Sequence, residues 1–299
     1  MELRILRYFL TVAKEKSISK AARTLHITQP TLSRQLQELE QELGKTLFIR
    51  SNKEITLTED GRLLRKRAEE IVRLTDKTIH ELTTPNDEIA GDVFIGCAET
   101  DEMRNIIRIM KQMQTQYPNV QFHIYSGDKQ IVLDDLDRGL IDFGIFIDPI
   151  DKTKYDYLPL PTPITLGIIV KKDDSLAKKK CVTKEDIQSL PLIISRQLCE
   201  DSMVMSWFGV PKEMLHIVAT YNLIFNASLM VSEGMGYAIT IDHLIDATNH
   251  PDLCFIPLYP TVSLPIYILW KKNQLFSKAS TYFLAQVKKI LYQNKKKDE

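Results

Sequence analysis

The feature that limits this chain most is a change of periodicity around Thr83-Thr84-Pro85-Asn86-Asp87. Before it, apolar residues recur at helical spacing. After Gly91, short apolar runs alternate with helical stretches. The two patterns build different layers, so the chain must fold as separate modules joined at a break, with the five residues as a hinge. A length of 299 residues is enough for two or three domains. Charge divides near the same place. Residues 1–67 hold 14 Lys and Arg against 8 Asp and Glu, a net +6, and the remainder carries −6. A basic module ahead of an acidic body points to a polyanion partner for the module alone.

The first module, residues 1–58, reads as three short helices and a small hairpin. Leu3, Leu6, Leu10 and Ala13 line one face of the first helix. Ser17 is placed to cap a second, and His26-Ile27 forms a tight turn. Thr28 caps a third over 29–43, with Pro30 in its first turn and Gly44 ending it. At 100° per residue, Leu32, Leu36, Leu39 and Leu43 fall within about 60° and form a buried stripe. Pro30, Ser33, Arg34 and Gln37 project from the other side, flanked by Thr31. Arg and Gln make paired hydrogen bonds to guanine and adenine edges, and Pro and Thr methyl surfaces suit the thymine methyl. Ser17, Thr28 and Gln29 offer phosphate contacts near helix N-termini. Segments 47–51 and 54–58 read as strands of a wing whose Arg50 and Lys53 reach a flanking backbone. On the wheel alone, a polar solvated face is the competing explanation.

Residues 59–90 carry a long helix, capped by Thr58 and running to about Leu82, and then the hinge. Leu64, Ile71 and Thr78 recur every seven positions, as do Ala68, Thr75 and Leu82, which predicts a seam packed on a second copy, with packing only within one chain as the alternative. From 91 to 299, strands at 92–97, 120–125, 142–147, 165–170, 192–194, 216–220, 237–241 and 265–270 alternate with helices. That pattern predicts two α/β lobes with mostly parallel sheets, about 91–161 plus 266–299, and 162–265. The fold class expected is therefore α+β multi-domain.

Residues 17–50, including Ser17-Ile18-Ser19-Lys20-Ala21-Ala22-Arg23, Thr28-Gln29-Pro30-Thr31-Leu32-Ser33-Arg34 and Leu39-Glu40, resemble the signature of LysR-type transcriptional regulators. Thr56-Leu57-Thr58-Glu59-Asp60-Gly61 extends the match into the long helix. Gly96, Leu136-x-x-Gly139-x-Ile141-Asp142-Phe143-Gly144-Ile145 and Val231-x-x-Gly234-x-Gly236 match the family's effector domain more loosely. The resemblance implies a winged helix-turn-helix, a linker helix and a two-lobed α/β body of the type 2 periplasmic-binding-protein kind. It implies a homodimer or tetramer on pseudo-palindromic, double-stranded promoter DNA, with Gln29, Pro30, Thr31, Ser33 and Arg34 facing the groove. It also implies a small-molecule effector, contact with RNA polymerase and work in the cytoplasm, with no membrane.

In a two-lobed α/β body, ligands sit between the lobes at strand C-termini. The expected effector set is Glu99, Thr100, Asp101, Ser126, Asp128, Ile147, Ser195, Arg196 and Asn222, with Gln197 and Tyr221 alongside. Thr100 matches a family position that often carries an effector-binding hydroxyl. Asp128 departs from the small hydroxyl or amide expected there, and the family's proline near 238–242 is absent. Glu99, Asp101 and Asp128 make an acidic rim that repels a carboxylate unless Arg196 anchors it, so a neutral, zwitterionic or cationic effector is expected. Equally, these acids are placed to cap helices.

Two other functions compete. The six histidines have no metal spacing, and there is no nucleophile elbow, P-loop or dinucleotide fingerprint, so neither an enzyme nor a cofactor is expected. A solute-binding protein would need a secretory signal, which the charged N-terminus does not resemble. Cys97, Cys181, Cys199 and Cys254 form no C-x-x-C pair and read as reduced, partly buried thiols; Cys199, read as a loop residue, is the residual candidate for a redox sensor.

Overall fold

A computed structural model describes residues 1–50, 54–83, 88–147, 151–200, 202–245 and 250–295. Backbone contacts divide the chain into two units, Met1–Pro85 and Asn86–Glu299. The hinge expected at 83–87 lies outside the described residues from 84 onward.

The first unit contains α1 (Leu3–Glu15), α2 (Ile18–Thr24), α3 (Gln29–Leu43), β1 (Phe48–Arg50), β2 (Ile55–Leu57) and α4 (Glu59–Thr83). The starts of α2, α3 and α4 have the caps their sequence promises. The Ser17 side chain accepts from the Lys20 N–H, Thr28 from Thr31, and Thr58 from Gly61. Gly44 ends α3 at φ 63°, a left-handed conformation that favours glycine. Leu6, Phe9, Val12, Ala21, Ala22, Leu32, Leu36 and Leu39 close one core, joined by Leu47 and Phe48 of the wing. Leu43, expected in that stripe, lies in the last turn of α3 and is 38% exposed. β1 and β2 pair antiparallel, Phe48 opposite Leu57. Gly61 meets the wing so closely that a Cβ there would lie 2.1 Å from the Leu47 carbonyl oxygen.

The long helix α4 corrects the expected seam. Ala68 is fully buried, and Leu64 and Val72 pack beside it, in the core shared with α1. Those two seam positions, Leu64 and Ala68, are therefore occupied within the chain. Ile71 and Leu82 stay exposed, together with Leu63 and Leu74. The hydroxyls of Thr75 and Thr78 turn back onto the carbonyls of Ile71 and Leu74.

Among its described residues, the second unit holds two sheets. The first lobe uses β3 (Gly91–Cys97), β4 (Val120–Ser126), β5 (Phe143–Ile147), β6 (Tyr155–Pro159) and β13 (Ile266–Lys271), in the order β4-β3-β5-β13-β6. Its helices are α5 (Met103–Gln116), α6 (Lys129–Asp137) and α11 (Lys278–Lys295). The second lobe uses β7 (Ile164–Lys171), β8 (Leu192–Ser195), β9 (Ile217–Tyr221), β10 (Tyr237–Ile241), β11 (Leu253–Pro257) and β12 (Ser263–Leu264), in the order β11-β7-β10-β8-β9 with β12 on β7. Its helices are α7 (Lys184–Ile187), α8 (Arg196–Glu200), α9 (Ser202–Phe208) and α10 (Ile224–Ser232).

The sheets are mixed rather than mostly parallel. β3 is parallel to β4 and β5, and β8 to β9 and β10. β13 and β7, the strands that carry the chain between lobes, run antiparallel to all their neighbours. Among the described residues, three strands escaped the sequence reading: β6, β11 and the two-residue β12. β6 and β11 end in Pro, and β6 carries an Asp, which weakens the apolar signal of a strand. The stretch 237–241, near which the family's proline is absent, forms β10, an inner strand between β7 and β8.

Candidate nucleic-acid interface and ligand cleft

The outer face of α3 is built by its inner face. Leu32 and Leu36 are completely buried and Leu39 nearly so, which turns the opposite side to solvent. Thr28, Gln29, Pro30, Thr31, Arg34 and Gln37 are exposed, and Ser33 is half-buried. The turn before the helix holds His26 in the left-handed region, φ 54°, while the His26 and Ile27 N–H groups donate to the carbonyls of Arg23 and Ala22. Two side-chain contacts arrange the start of the face. The Ser19 hydroxyl lies 2.9 Å from Gln29 Oε1, and the hydroxyls of Thr28 and Thr31 are 2.8 Å apart. Ser19, in the preceding helix, was not among the expected residues, and no local pattern marks it.

Arg34 is 80% exposed, and its Nε donates to Glu38 Oε1 at 2.9 Å. Such a pair, one turn apart and in water, is worth only a few tenths of a kcal/mol, so phosphates or base edges can draw the guanidinium away. Gln35 also donates to Glu38, which leaves that carboxylate two partners on the flank of the face. Ser17 sits at the cap of α2 with its oxygen on the Lys20 N–H. Glu40 Oε1 accepts from the N–H groups of Leu47 and Phe48, tying the end of α3 to the wing. Arg50 closes β1; its side chain and the whole of Lys53 lie outside the described residues.

The second unit contains a cleft between its lobes that is open to solvent. It is lined by three loops of the first lobe and by residues of β8, α8, the β9–α10 turn, β10 and Leu244 of the second. Of the expected residues, Glu99, Asp128, Ile147, Ser195, Arg196 and Asn222 lie on its wall, as do Gln197 and Tyr221. Thr100, Asp101 and Ser126 do not. Thr100 is buried, and its hydroxyl accepts from the Glu102 N–H at the approach to α5. Asp101 pairs with Arg104. Ser126 bonds the Cys97 thiol. Asp148, which follows Ile147, lies outside the described residues. Residues missed include Leu198, Thr240 and Ile241, inside elements that read simply as core, and Leu223 and Leu244, apolar residues of the segments before α10 and after β10.

The acidic rim is mostly engaged with the protein itself. Asp128 caps α6 by accepting from Ile131, and Glu99 accepts from the N–H of Ile224 at 3.0 Å. Ser195 accepts from Leu198, Asn222 from Leu223, and Tyr221 donates to the Ile239 carbonyl. Burial raises the Tyr221 phenol, with the nearby Glu99 charge acting in the same direction. Burial also raises the thiols of Cys97 and Cys199. Cys199 lies in α8, not in a loop, and is 6% exposed, an environment opposite to that of a reactive thiolate.

A winged helix-turn-helix with its polar recognition face in solvent, in one chain with a two-lobed cleft, defines a DNA-binding regulator with an effector-binding domain. Residues 3–62 match the family model of the bacterial regulatory helix-turn-helix protein, lysR family, and residues 86–291 match the LysR substrate binding domain. The chain belongs to the LysR family of transcriptional regulators. It is similar to the HTH-type transcriptional regulator BsdA of Bacillus subtilis, at 29% identity over 95% of this chain and 99% of BsdA. It is also similar to the HTH-type transcriptional activator IlvY of Haemophilus influenzae, at 28% identity over 83% of this chain and 86% of that relative. Among solved structures, full-length CbnR complexed with its target DNA superposes with a TM-score of 0.75 at 22% identity, covering 97% of this chain and 99% of CbnR. Among the described residues, no helix is long and apolar enough to cross a membrane.

Proposed function

We propose that this chain binds operator DNA in a sequence-specific manner through Gln29, Pro30, Thr31, Ser33, Arg34 and Gln37 on α3. Ser17, Thr28 and the wing residues Arg50 and Lys53 contact phosphates. The observation that carries this reading is the two-sidedness of α3: leucines at 0–2% exposure on one side and an Arg/Gln/Thr face in water on the other. CbnR, which shares the fold, was crystallised on its target DNA. The chain acts as a homodimer or tetramer, its two recognition helices about one DNA turn, ~34 Å, or a multiple of it apart. The exposed face of α4 that carries Leu63, Ile71, Leu74, Thr78 and Leu82 supplies the pairing surface. RNA polymerase is a further partner, the site of action is the cytoplasm, and the chain catalyses no reaction.

The cleft receives a neutral, zwitterionic or cationic small molecule. Glu99 and Asp128 face it from the first lobe, Arg196 from the second, and its floor is apolar. A carboxylate ligand meets repulsion from two acids against one guanidinium. Binding shifts the regulator between states only by its differential affinity for them.

The deciding experiment is recovery of fragmented genomic DNA by the purified chain and by Arg34→Ala. The wild type should enrich discrete sites and the variant should lose them while remaining folded. Enrichment of the same sites by both proteins would remove Arg34 from the reading face, and no discrete enrichment by either would end the reading.

A further inference from the structure

α10 begins without a cap of its own. Its N-cap is Leu223, with extended backbone and no side-chain acceptor, and its first turn has no acidic residue. Asn222 is spent on the Leu223 N–H. The acceptor comes from elsewhere: Glu99 Oε2, 125 residues earlier in sequence, takes the Ile224 N–H at 3.0 Å. Glu99 follows β3 of the first lobe, and α10 is anchored on the second lobe by Ile224, Ala227, Ser228 and Val231. The bond therefore crosses the cleft that both residues line.

We propose that Glu99 is a clasp between the lobes, an internal carboxylate that closes the cleft onto the N-terminus of α10 before any effector arrives. A carboxylate at a helix N-terminus gains from both the charge-assisted hydrogen bond and the helix dipole. It makes that gain only when the lobes are close, so the bond biases the lobes toward closure. An effector with hydrogen-bond donors acts by taking the Glu99 carboxylate from Ile224. This deepens the effector-cleft reading and rests on it for the identity of the trigger, but the clasp itself is a property of the ligand-free chain.

Cys97 and Cys199 are buried directly beside the cleft-lining residues Ala98 and Leu198, whereas Cys181 and Cys254 are partly exposed. Alkylation of the full-length, ligand-free protein by iodoacetamide, with each cysteine followed by peptide mass mapping, reports cleft opening. In Glu99→Ala the clasp acceptor is gone. In Leu223→Asp the helix gains its own cap and a charge that repels Glu99, so the clasp is released while α10 stays capped. Both variants should raise the rates at Cys97 and Cys199 about fivefold relative to Cys181 and Cys254, on the scale of losing one charge-assisted cap. Glu99→Gln, which keeps an acceptor oxygen, should raise them less than Glu99→Ala. Unchanged rates in both variants would overturn the clasp. So would acceleration in Glu99→Ala with wild-type rates in Leu223→Asp, since that pattern marks a merely local helix cap. Because no ligand is present, a chain that answers to no small molecule would still show the clasp, and loss of the clasp would leave the cleft reading intact.

Discussion

The reading face and the cleft are built on opposite principles. The face on α3 comes from one stretch, Thr28 to Gln37, whose inward leucines and outward polar groups are set by the turn of a single helix. The cleft draws on loops and strand ends from Ala98 to Leu244, brought together by two sheets. The first is a local property and survives as long as the helix packs. The second is a property of topology, and every member depends on partners far away in sequence.

The largest expected effect tests the local side of that comparison. Leu36→Ala should cost the helix-turn-helix unit about 2–5 kcal/mol, because a fully buried side chain is deleted from a small core. Hydrogen exchange should accelerate across 29–43 while β3, β5 and β10 keep their protection. Equal loss of protection in those strands would break the comparison. Next, Arg34→Ala should weaken binding to a recovered operator by about 1–3 kcal/mol, read by fluorescence anisotropy, with the urea midpoint unchanged. A smaller cost, about 0.5–2 kcal/mol of stability, is expected for Thr28→Ala, which removes the cap oxygen that accepts from Thr31; urea unfolding measures it.

These differences explain what the sequence made legible. Helix caps at Ser17, Thr28 and Thr58, the wing and the outward face of α3 all follow from neighbours within a few residues, and each is found in place. The seam of α4 was half-legible: a seven-residue repeat shows that Leu64 and Ala68 are apolar and aligned, but not that α1 already covers them. The cleft was legible only at strand ends. Thr100 and Ser126 sit at the right places in the chain, yet one turns toward α5 and the other to Cys97, choices made by packing rather than by spacing. Leu223 and Leu244 carry no mark that separates a cleft wall from a core.

The smallest effect belongs to the topological side. Tyr237 at the start of β10 donates to Asp174, 63 residues away, at 2.7 Å. That bond, with burial, raises the phenol to about 12. The folded state thus holds the proton more tightly than the unfolded chain, whose tyrosines titrate near about 10. The stabilisation is complete below about pH 10 and is lost as the pH rises through about 12. Since the side chain is partly solvated, Tyr237→Phe should cost under about 1 kcal/mol at neutral pH. Its deficit against wild type should shrink to nothing across that alkaline window in urea titrations. A constant deficit would remove the bond from the account.

β13 has a consequence for how the protein is made. It lies between β5 and β6 in the first lobe, although it leaves the ribosome after all the strands of the second lobe. Asp142, at the start of β5, is buried and accepts both the Phe94 N–H and the hydroxyl of Ser280 on α11, which emerges later still. During synthesis the second lobe has all of its strands in hand while the first still has an open slot between two of its own. The nascent chain therefore exposes the edges of β5 and β6 for as long as it takes to translate more than a hundred residues, and that interval is when the protein is most open to wrong strand pairing.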